Sequence, residues 1–432
     1  MNPRRLTRLK TSERRKQMKI FCVSVKIQEN KLSEERRVRL DNMFKHVKYF
    51  YNDMIGSDDV FKYNYKTKEV NVKWLEDKVE KSEARPIELP AQVKQELWIR
   101  TTRNITNLSK RKKKGVKVGR LKFKKDISCI PLVQYKATYA IKDKKVRIAG
   151  LGFVNVNGLE QLEKLNVKEF GPGNLIRNAS GYYIQITCFL DKPQTRPDNK
   201  ENFPAVGIDM GIKDAVTLSN GDKFNFSFDY SKIKLEAKRL SRKKKDGKNW
   251  FKQKLKLKKQ YEKVTNQKED CSNKFVSYLG KNFGYIALQD ENISGWQEKF
   301  YGSKIAHGVL GRIKSKLMKL STTHSVDRYI PTTQVCPVCT KLNKIGLEER
   351  HYQCSCGYSE DRDTKSAQCV LLYALGQLPT EHRKDTPSEF LTTEAIEYRK
   401  KALLNFKSVT MKREAQPNMV MGSSSVARSY RH

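Results

Sequence analysis

The sequence is poor in acidic residues and contains no long apolar run. Asp and Glu number 47 against 88 Lys and Arg in 432 residues, which gives a formal net charge of +41. No fold requires this excess, and repulsion among the cations opposes compaction, so the charge indicates a polyanionic partner, with nucleic acid first. No stretch approaches the length of a membrane span, which argues against a membrane protein. The first 19 residues are basic and polar and lack the apolar core of a signal peptide.

Cysteine is scarce outside one segment. Nine cysteines are present, and five of them are isolated residues that we predict to be small buried side chains. An odd total without a secretory start argues against a disulfide scaffold and for a reducing cytoplasm. The other four, Cys336, Cys339, Cys354 and Cys356, form two close pairs that can close a tetrahedral, structural zinc site. His351 lies between the pairs but is not needed, because the cysteines already supply four ligands.

The first half of the chain changes its hydrophobic period twice. MKIFCVSVKI (18–27) alternates as a strand does, helical spacing follows a cap at Ser33, and short alternating segments return after residue 117. A strand, helices and then more strands predict a β-barrel with a helical insertion. The predicted segments are a basic arm at 1–17, disordered without nucleic acid, a β-barrel at 18–32 and 115–192, a helical domain at 33–114, and a Pro-rich linker at 193–204.

Acidic residues of the second half lie where a metal site could form. Asp209 lies within the apolar strand AVGIDM, Asp290 and Glu291 follow the apolar strand IALQ, and Asp363 opens the helix after the cysteine pairs. A charge in a buried strand is costly unless it is paired or binds metal. Acids on two strands and at one helix start are typical of metal-dependent nucleases of the RNase H type, in which two Mg²⁺ ions activate water and stabilise the leaving oxygen. Taken singly, each acid could instead be a turn former, a solvated strand end or a helix cap.

Several motifs occur together and in a fixed order. They are GIDMGIKDAVTLSNG, LQDENISGW, GRIKSKL and CPVC…CSCGYSEDRDTKSA, and together they resemble the TnpB family of transposon-encoded proteins, relatives of the compact type V CRISPR effectors. The resemblance covers most of residues 18–376 and is strongest from 205 to 370. It implies an α/β multidomain protein, with an OB-like wedge β-barrel, a helical recognition insertion, and an RNase H-like RuvC nuclease domain that carries an inserted zinc ribbon. The implied segments are the nuclease domain at 205–330 and 358–378, the zinc ribbon (target-nucleic-acid-binding unit) at 331–357, and a tail at 379–432 that we expect to be loosely ordered.

The resemblance also assigns catalytic roles. Asp209 matches the first acid of the family and Asp363 the third, and the implied cofactors are two catalytic Mg²⁺ ions and one structural Zn²⁺ ion. The third motif of the family usually has asparagine two residues after its aspartate, and here that position is Lys365. The chain therefore has the family's metal-binding aspartate, Asp363, but has lysine in place of the asparagine two residues later.

The second acidic motif departs further from the family. Its usual glutamate position is Gln289, which cannot supply an anionic ligand. Glu291 lies two residues further on, and in an extended strand that returns the side chain to the same face. We therefore predict that Glu291 is the second metal-binding acid, with Asp290 as the lesser candidate.

The implied activity is RNA-guided cleavage of DNA. A guide RNA, either a transposon-end RNA or a CRISPR transcript, is bound, a short motif beside the target is recognised in double-stranded DNA, and the RuvC site hydrolyses phosphodiesters. Basic stretches would contact the phosphates, while base pairing reads the target sequence. The predicted contact residues are Lys110, Arg111, Lys112, Lys113, Arg242, Lys243, Lys244, Lys245, Lys254 and Lys256.

Two other functions are compatible with the sequence. One is RNA-guided DNA binding with weak or no cleavage, as in a repressor, because the second acid is displaced. The other is a basic RNA-binding or chromatin-like protein with structural acids, and the ordered motifs count against it. We expect a cytoplasmic protein of a bacterium or archaeon, associated with the nucleoid when bound to DNA. The choice between a TnpB protein and a CRISPR-associated relative, and the oligomeric state, stay open at this point.

Overall fold

The structure is a computed structural model that describes residues 3–76, 79–191, 204–297, 302–346, 348–379, 388–408 and 420–422. The chain forms two compact units, Met1–Arg196 and Pro197–His432. Of the predicted linker at 193–204, all but Pro204 lies outside the described residues. None of the described helices combines the length and the apolar character that crossing a membrane requires.

The first unit is built on one antiparallel sheet. Its strands are β1 (Met18–Ile27), β2 (Glu69–Glu76), β3 (Val79–Pro86), β4 (Cys129–Leu132), β5 (Tyr139–Lys142), β6 (Lys145–Ile148), β7 (Gly152–Asn157), β8 (Glu169–Asn178) and β9 (Gly181–Asp191). Seven of them form the sheet in the order β4-β8-β9-β1-β7-β6-β5, and β2 and β3 form a separate two-stranded sheet. The pairing of β1 with β9 runs along almost the whole of β1, so the first strand lies in the middle of the sheet.

Helices cover this sheet and supply its core. They are α1 (Pro3–Lys16), α2 (Glu34–Gly56), α3 (Ala91–Lys113) and the short α4 (Glu160–Glu163). The hydroxyl of Ser33 accepts a hydrogen bond from the backbone N–H of Arg36, which is the cap expected from the sequence. Phe44 and Phe50 of α2 are fully buried in the same hydrophobic cluster as Val25 of β1.

Two expectations for the first unit are wrong. Residues 33–114 are not purely helical, because the hairpin β2–β3 lies between α2 and α3. Its strands carry many charges, and among the strand residues whose side chains are described only Val70 lies in the buried core, so the hydrophobic signal is weak. The N-terminal arm is helical from Pro3 to Lys16 instead of disordered, and Arg15 forms an ion pair with Glu169 of β8 that holds the end of the helix.

The second unit contains a mixed sheet. Its strands are β10 (Ala205–Met210), β11 (Val216–Leu218), β12 (Lys223–Asn225), β13 (Tyr285–Gln289), β14 (Thr323–Val326), β15 (His351–Gln353), β16 (Ser359–Asp361) and β17 (Val420–Gly422). Six of them form the sheet in the order β14-β13-β10-β11-β12-β17, and β15 and β16 form a separate hairpin. β10, β13 and β14 are parallel, whereas β11, β12 and β17 continue the sheet antiparallel.

Helices surround this sheet. They are α5 (Ser231–Ser241), α6 (Lys248–Asn282), α7 (Ile293–Gln297), α8 (Gly302–His307), α9 (Leu310–Leu317), α10 (Arg362–Ala374) and α11 (Thr393–Ser408). α10 is buried along nearly its whole length and approaches β10 closely at Gly207, where no side chain intervenes. Phe275 of α6 packs against Phe224 of β12 in a separate apolar cluster.

The segment after residue 379 also differs from expectation. We expected a loosely ordered tail, but α11 packs on the second unit and buries Leu403, Phe406 and Arg399. The apolar periodicity of this helix is weak, because a large part of its anchoring is polar and comes from the guanidinium of Arg399. Sequence periodicity reports apolar faces and does not detect that kind of anchor.

Candidate active site and cysteine cluster

A cleft of about 770 Å³ brings the predicted acids together. Asp209, Glu291 and Asp363 all line it. Asp209 lies near the carboxyl end of β10, Glu291 follows β13, and Asp363 is in the first turn of α10. β10 and β13 are parallel neighbours, with Ile208 opposite Leu288, so their carboxyl ends meet at one edge of the sheet.

Asp209 has the most perturbed electrostatics of the three. The pKa of its carboxyl is raised to about 7, chiefly by burial and then by the negative charges of Asp363 and Glu291, while the hydroxyl of Ser366 and the charge of Arg362 oppose the shift. Burial also raises the pKa of Glu291. A carboxylate with two acidic neighbours in a desolvated position is stabilised by a cation, so the site suits a divalent metal with oxygen ligands.

Asp363 is not the cap of α10, although that role was open to it from the sequence. Asp361 is the cap, and its Oδ1 accepts hydrogen bonds from the backbone N–H groups of Asp363 (3.1 Å) and Thr364 (3.0 Å). The other oxygen of Asp361 accepts a bond from Lys223 Nζ at 3.0 Å, and its pKa is lowered although burial acts in the opposite direction. Asp361 is therefore committed to the fold, whereas Asp363 faces the cleft and has Arg362 Nε at 3.2 Å.

The structure distinguishes between the two candidates for the second acid. Asp290 is paired with Lys314 at 2.5 Å and Arg328 at 2.7 Å, and it is not among the residues that line the cleft. Glu291 lines the cleft, as does Gln289, but not through a continuing strand: β13 ends at Gln289, and the backbone N–H of Glu291 turns back to the carbonyl of Gln289 at 2.8 Å. This geometry favours Glu291.

Gln289 has a structural role that its amide allows. Its Nε2 donates to the carbonyls of Asp327 (3.1 Å) and Ile330 (2.9 Å), and its Oε1 accepts from the hydroxyl of Thr332 at 3.0 Å. A glutamate here would direct a carboxylate at two carbonyl oxygens. The loop after β14 is thus built around an amide, which explains why this position has no acid.

Two further polar residues of the site were missed by the sequence reasoning. Ser366 Oγ lies 3.2 Å from Asp209 Oδ1 and 3.1 Å from Thr332 Oγ1, so it connects the first acid to Gln289 through Thr332. Asp214 also lines the cleft, but Asn225 donates to it at 2.9 Å and Lys223 lies 3.6 Å away. Ser366 is one helical turn beyond Asp363, and that spacing was the available signal.

Lys365 is directed away from the acids. Its side chain is fully buried, and Nζ donates to the carbonyls of Thr332 (3.0 Å) and Val335 (3.1 Å) and lies 4.1 Å from the centre of the Tyr352 ring. The lysine at this position therefore ties α10 to the chain that leads into the first cysteine pair.

The four predicted cysteines converge. The sulfurs of Cys336, Cys339, Cys354 and Cys356 all lie within 4.8 Å of one another, and two pairs are 3.6 and 3.5 Å apart. A tetrahedral zinc with bonds of about 2.3 Å would hold thiolate sulfurs about 3.8 Å apart, so the arrangement fits that metal. Among the described residues, this is the only group of three or more candidate ligands whose atoms are this close together. The three carboxylates share a cleft without converging to that degree.

Local turns position these cysteines. The second pair is closed by a bond from Gly357 N to Cys354 O at 2.9 Å, and Gly357 has φ +88°, which L side chains rarely adopt. His351 is exposed and contacts Ser359 Oγ instead of joining the cluster. The hairpin β15–β16 then leads directly from the cysteines to the cap of α10.

The predicted basic contact residues lie at helix ends and on one long helix. The run Lys110–Lys113 forms the last turn of α3, and the run Arg242–Lys245 lies between α5 and α6. Both runs are exposed, and within the described residues no member of either forms an ion pair with a carboxylate. Lys254 lies over the ring of Trp250 at 4.3 Å, and Lys256 is exposed. Each run is available to an anionic ligand.

Two family matches cover the region that carries the acids and the cysteines. Residues 186–298 match the family OrfB_IS605, described as "Probable transposase", and residues 312–370 match the family "Cas12f1-like, TNB domain". The resemblance to the TnpB family is confirmed. The first TnpB-type match includes Asp209 and Glu291, and the second includes all four cysteines and Asp363.

Two individual relatives match parts of the chain. One is the "Putative RNA-guided DNA endonuclease" of Streptomyces pristinaespiralis, 25% identical over 211 residues that cover 46% of this chain and 51% of that protein. Another is the "Putative RNA-guided DNA endonuclease InsQ" of Escherichia coli (strain K12), 31% identical over 116 residues that cover 26% of this chain and 29% of that protein. The chain therefore spans about half the length, or less, of these two relatives.

A solved structure is also similar in part. It is the "Cryo-EM structure of the Cas12f1-sgRNA-target DNA complex", with 13% sequence identity, a TM-score of 0.33, and coverage of 56% of this chain and 58% of the other. A score this low supports no conclusion about the fold or the activity.

Proposed function

We propose that the protein is an RNA-guided DNA endonuclease with a metal-dependent RuvC-like site. The observation that carries the proposal is the joint placement of Asp209, Glu291 and Asp363 in one cleft at the carboxyl ends of parallel strands. The strand order β14-β13-β10-β11-β12, with a parallel and an antiparallel half, supports an RNase H-like nuclease domain. The family matches and the names of the two relatives point to the same activity.

The first unit supports the other half of the proposed architecture. A seven-stranded antiparallel sheet, interrupted in sequence by α2, the hairpin β2–β3 and α3, is compatible with an OB-like wedge and a recognition insertion. The basic run Lys110–Lys113 at the end of α3 would contact phosphates of guide RNA or of the RNA–DNA duplex. On this basis we propose the segments predicted from the sequence as domains. The hairpin β2–β3 is then part of the recognition insertion at 33–114.

The residues of the cleft would hold Mg²⁺ through carboxylate oxygens. Bound there, Mg²⁺ supplies an activated water and neutralises charge on the leaving oxygen. Ser366 donates to Asp209 and orients its carboxylate, and Gln289 fixes the loop that carries Thr332. Arg350 and Arg362 contact Asp363 and lie on the cleft wall, where they can contact the phosphate of the substrate strand.

The four cysteines would hold a structural zinc. Their closed four-sulfur arrangement leaves no position for substrate, which is the mark of a structural site. The hairpin β15–β16 begins beside the cluster and ends at the cap of α10, so the metal would fix the position of Asp363.

A second candidate function is RNA-guided DNA binding without cleavage. It is favoured by two observations: Arg350 and Arg362 both pair with Asp363, and the carboxylates do not converge as the cysteines do. Under this alternative the arginines keep the cleft free of metal. The two candidates share partners and differ only in chemistry.

One experiment separates these two functions from the third possibility, a basic RNA-binding or chromatin-like protein whose acids are structural. The protein is purified with its bound RNA, the RNA is sequenced, and DNA matching its variable end is incubated with the complex and Mg²⁺. We expect one defined RNA species and cleavage of the matched DNA, but no cleavage of a scrambled sequence or with EDTA. Binding without cleavage would support the second candidate, and a random mixture of cellular RNA would refute both.

The choice of the second acid gives a further prediction. Glu291→Gln removes an anionic ligand while keeping the shape, and we expect cleavage to fall by about 10²-fold or more, since a metal–carboxylate interaction contributes several kcal/mol. Asp290→Asn, which removes the neighbouring acid, is the matched control and should reduce cleavage much less. The measurement is the single-turnover rate on matched DNA. An Asp290 variant that is impaired more than the Glu291 variant would reverse the assignment.

A further inference from the structure

Two buried cations flank the cysteine cluster without carboxylate partners. Arg399 of α11 and Lys365 of α10 are each 0% exposed. Within the described residues, neither forms an ion pair with Asp or Glu, and the hydrogen-bond acceptors of both are backbone carbonyls. A buried charge is normally paired, so these two positions need an anion that the side-chain carboxylates do not supply.

Arg399 is directed at the first cysteine turn. Its Nε and Nη2 donate to the carbonyl of Val338, at 3.0 and 2.8 Å, and Val338 lies between Cys336 and Cys339. The remaining donors reach the carbonyls of Phe390 and Gln377.

Lys365 contacts the backbone that leads into the same turn. It donates to the carbonyl of Val335, the residue directly before Cys336, and its ammonium lies over the ring of Tyr352, which follows His351 in the hairpin. Both cations are thus held by the backbone that carries the ligands. Four thiolates around one Zn²⁺ ion carry a net double negative charge, which the two cations would balance.

We propose that Arg399 is the counter-ion of a metal-bound thiolate cluster and that docking of α11 is coupled to metal binding. The inference rests on the proposed metal at the cysteines and is independent of DNA cleavage. Four neutral thiols would leave Arg399 buried without an anion, so removal of the metal should release the helix. Conversely, loss of Arg399 should leave the dianionic cluster with half of its neutralising charge and weaken metal binding.

A second contact joins α11 to the hairpin. Lys407 Nζ lies 2.5 Å from Glu360 Oε2, and Glu360 is the middle residue of β16. The helix therefore contacts both the turn of the first cysteine pair and the strand after the second pair. These two contacts place α11 against both segments that carry the cysteines, so the helix belongs to the proposed metal centre.

The first test uses the unmodified full chain. Hydrogen–deuterium exchange is followed for peptides of residues 393–408 before and after zinc is removed with a chelator and then restored. We expect exchange in α11 to rise at least about tenfold on chelation and to return on addition of zinc. Unchanged protection of α11, while peptides of residues 336–356 exchange faster, would overturn the proposal. A chain that binds no zinc at all would refute the metal site itself.

The second test uses substitutions at Arg399. We expect Arg399→Met to lower zinc affinity by about 10- to 100-fold, the range for residues behind metal ligands, measured by competition with a chromogenic chelator. Arg399→Lys keeps the charge and should recover part of the loss. Lys400→Met, an exposed neighbour on the same helix, is the matched control and should not change affinity. Equal zinc affinities for the Arg399→Met and Lys400→Met proteins would overturn the proposal.

Discussion

Replacing Asp209 by asparagine is expected to reduce DNA cleavage by about 10³-fold or more while leaving RNA and DNA binding intact. The substitution keeps the volume of the side chain and its contact with Ser366, but it removes the negative charge nearest to the other two acids. A metal bound at this site would contribute several kcal/mol to the stabilisation of the transition state, and about 1.4 kcal/mol corresponds to a factor of ten in rate. The measurement is the single-turnover cleavage rate at saturating Mg²⁺.

The control for this prediction is Asp222→Asn. Asp222 follows the turn after β11, where its backbone accepts the bond from Leu218 and its carboxylate is bonded by Asn220, and it does not line the cleft. Its loss should leave cleavage nearly unchanged. If the Asp209→Asn complex cleaves matched DNA at the normal rate, the proposed RuvC-like site is wrong, whatever the function of the protein. A complex that no longer binds DNA would show that Asp209 serves the fold instead.

Gly207→Ala is expected to be the most destabilising single-methyl change in the sheet of the second unit. A Cβ at this position would lie 2.0 Å from the carbonyl oxygen of Ala367 and 2.9 Å from Leu371 Cβ. The carbonyl oxygen of Ala367 is part of the backbone of α10 and cannot rotate away from the new methyl group as a side chain could. The whole helix α10 must therefore shift relative to β10. We expect a loss of about 3 kcal/mol or more of unfolding free energy, at the upper end for overpacking, measured by chemical denaturation. Cleavage should fall as well, because α10 carries Asp363 and Ser366.

The same substitution at another glycine tests this explanation. Gly280 lies in α6, and a Cβ there would meet only Leu320 Cδ1 at an ordinary 3.7 Å. Because alanine is the better helix former, Gly280→Ala should leave stability unchanged or raise it by up to about 1 kcal/mol. Similar losses for both variants would show that the close approach of α10 and β10 does not decide the stability of this domain.

The sequence predicted those parts of the site that follow from chain direction and spacing. The cysteine pairs could be grouped because a short turn brings residues three apart together, and the sulfurs of Cys336 and Cys339 do lie in one cluster. Acids after neighbouring parallel strands share an edge, and Asp209 and Glu291 do line one cleft. The assignment of catalytic roles to them stays a prediction.

The sequence could not predict features that depend on buried polar contacts. From the sequence, Gln289 is only a position where the usual metal-binding glutamate is missing. In the structure its side-chain amide donates to the carbonyls of Asp327 and Ile330 and holds their loop. Lys365 resembled a replaced neighbour of the third acid, but its ammonium is directed to Val335. Arg399 gave no signal, because a cation in a helix normally indicates a solvated face. Each case depends on which carbonyl lies nearby, and that information exists only after folding.

The junction between the cysteine hairpin and α10, the helix that carries Asp363, has a mechanical consequence. β16 ends at Asp361, and the same residue caps α10, so no loop separates the hairpin from the helix. A joint without a loop offers few torsions that can rotate independently, and the bonds from Asp361 to Asp363 and Thr364 restrain them further. We therefore expect the hairpin and the helix to move as one piece, so that a displacement of the cysteine hairpin would also displace Asp363.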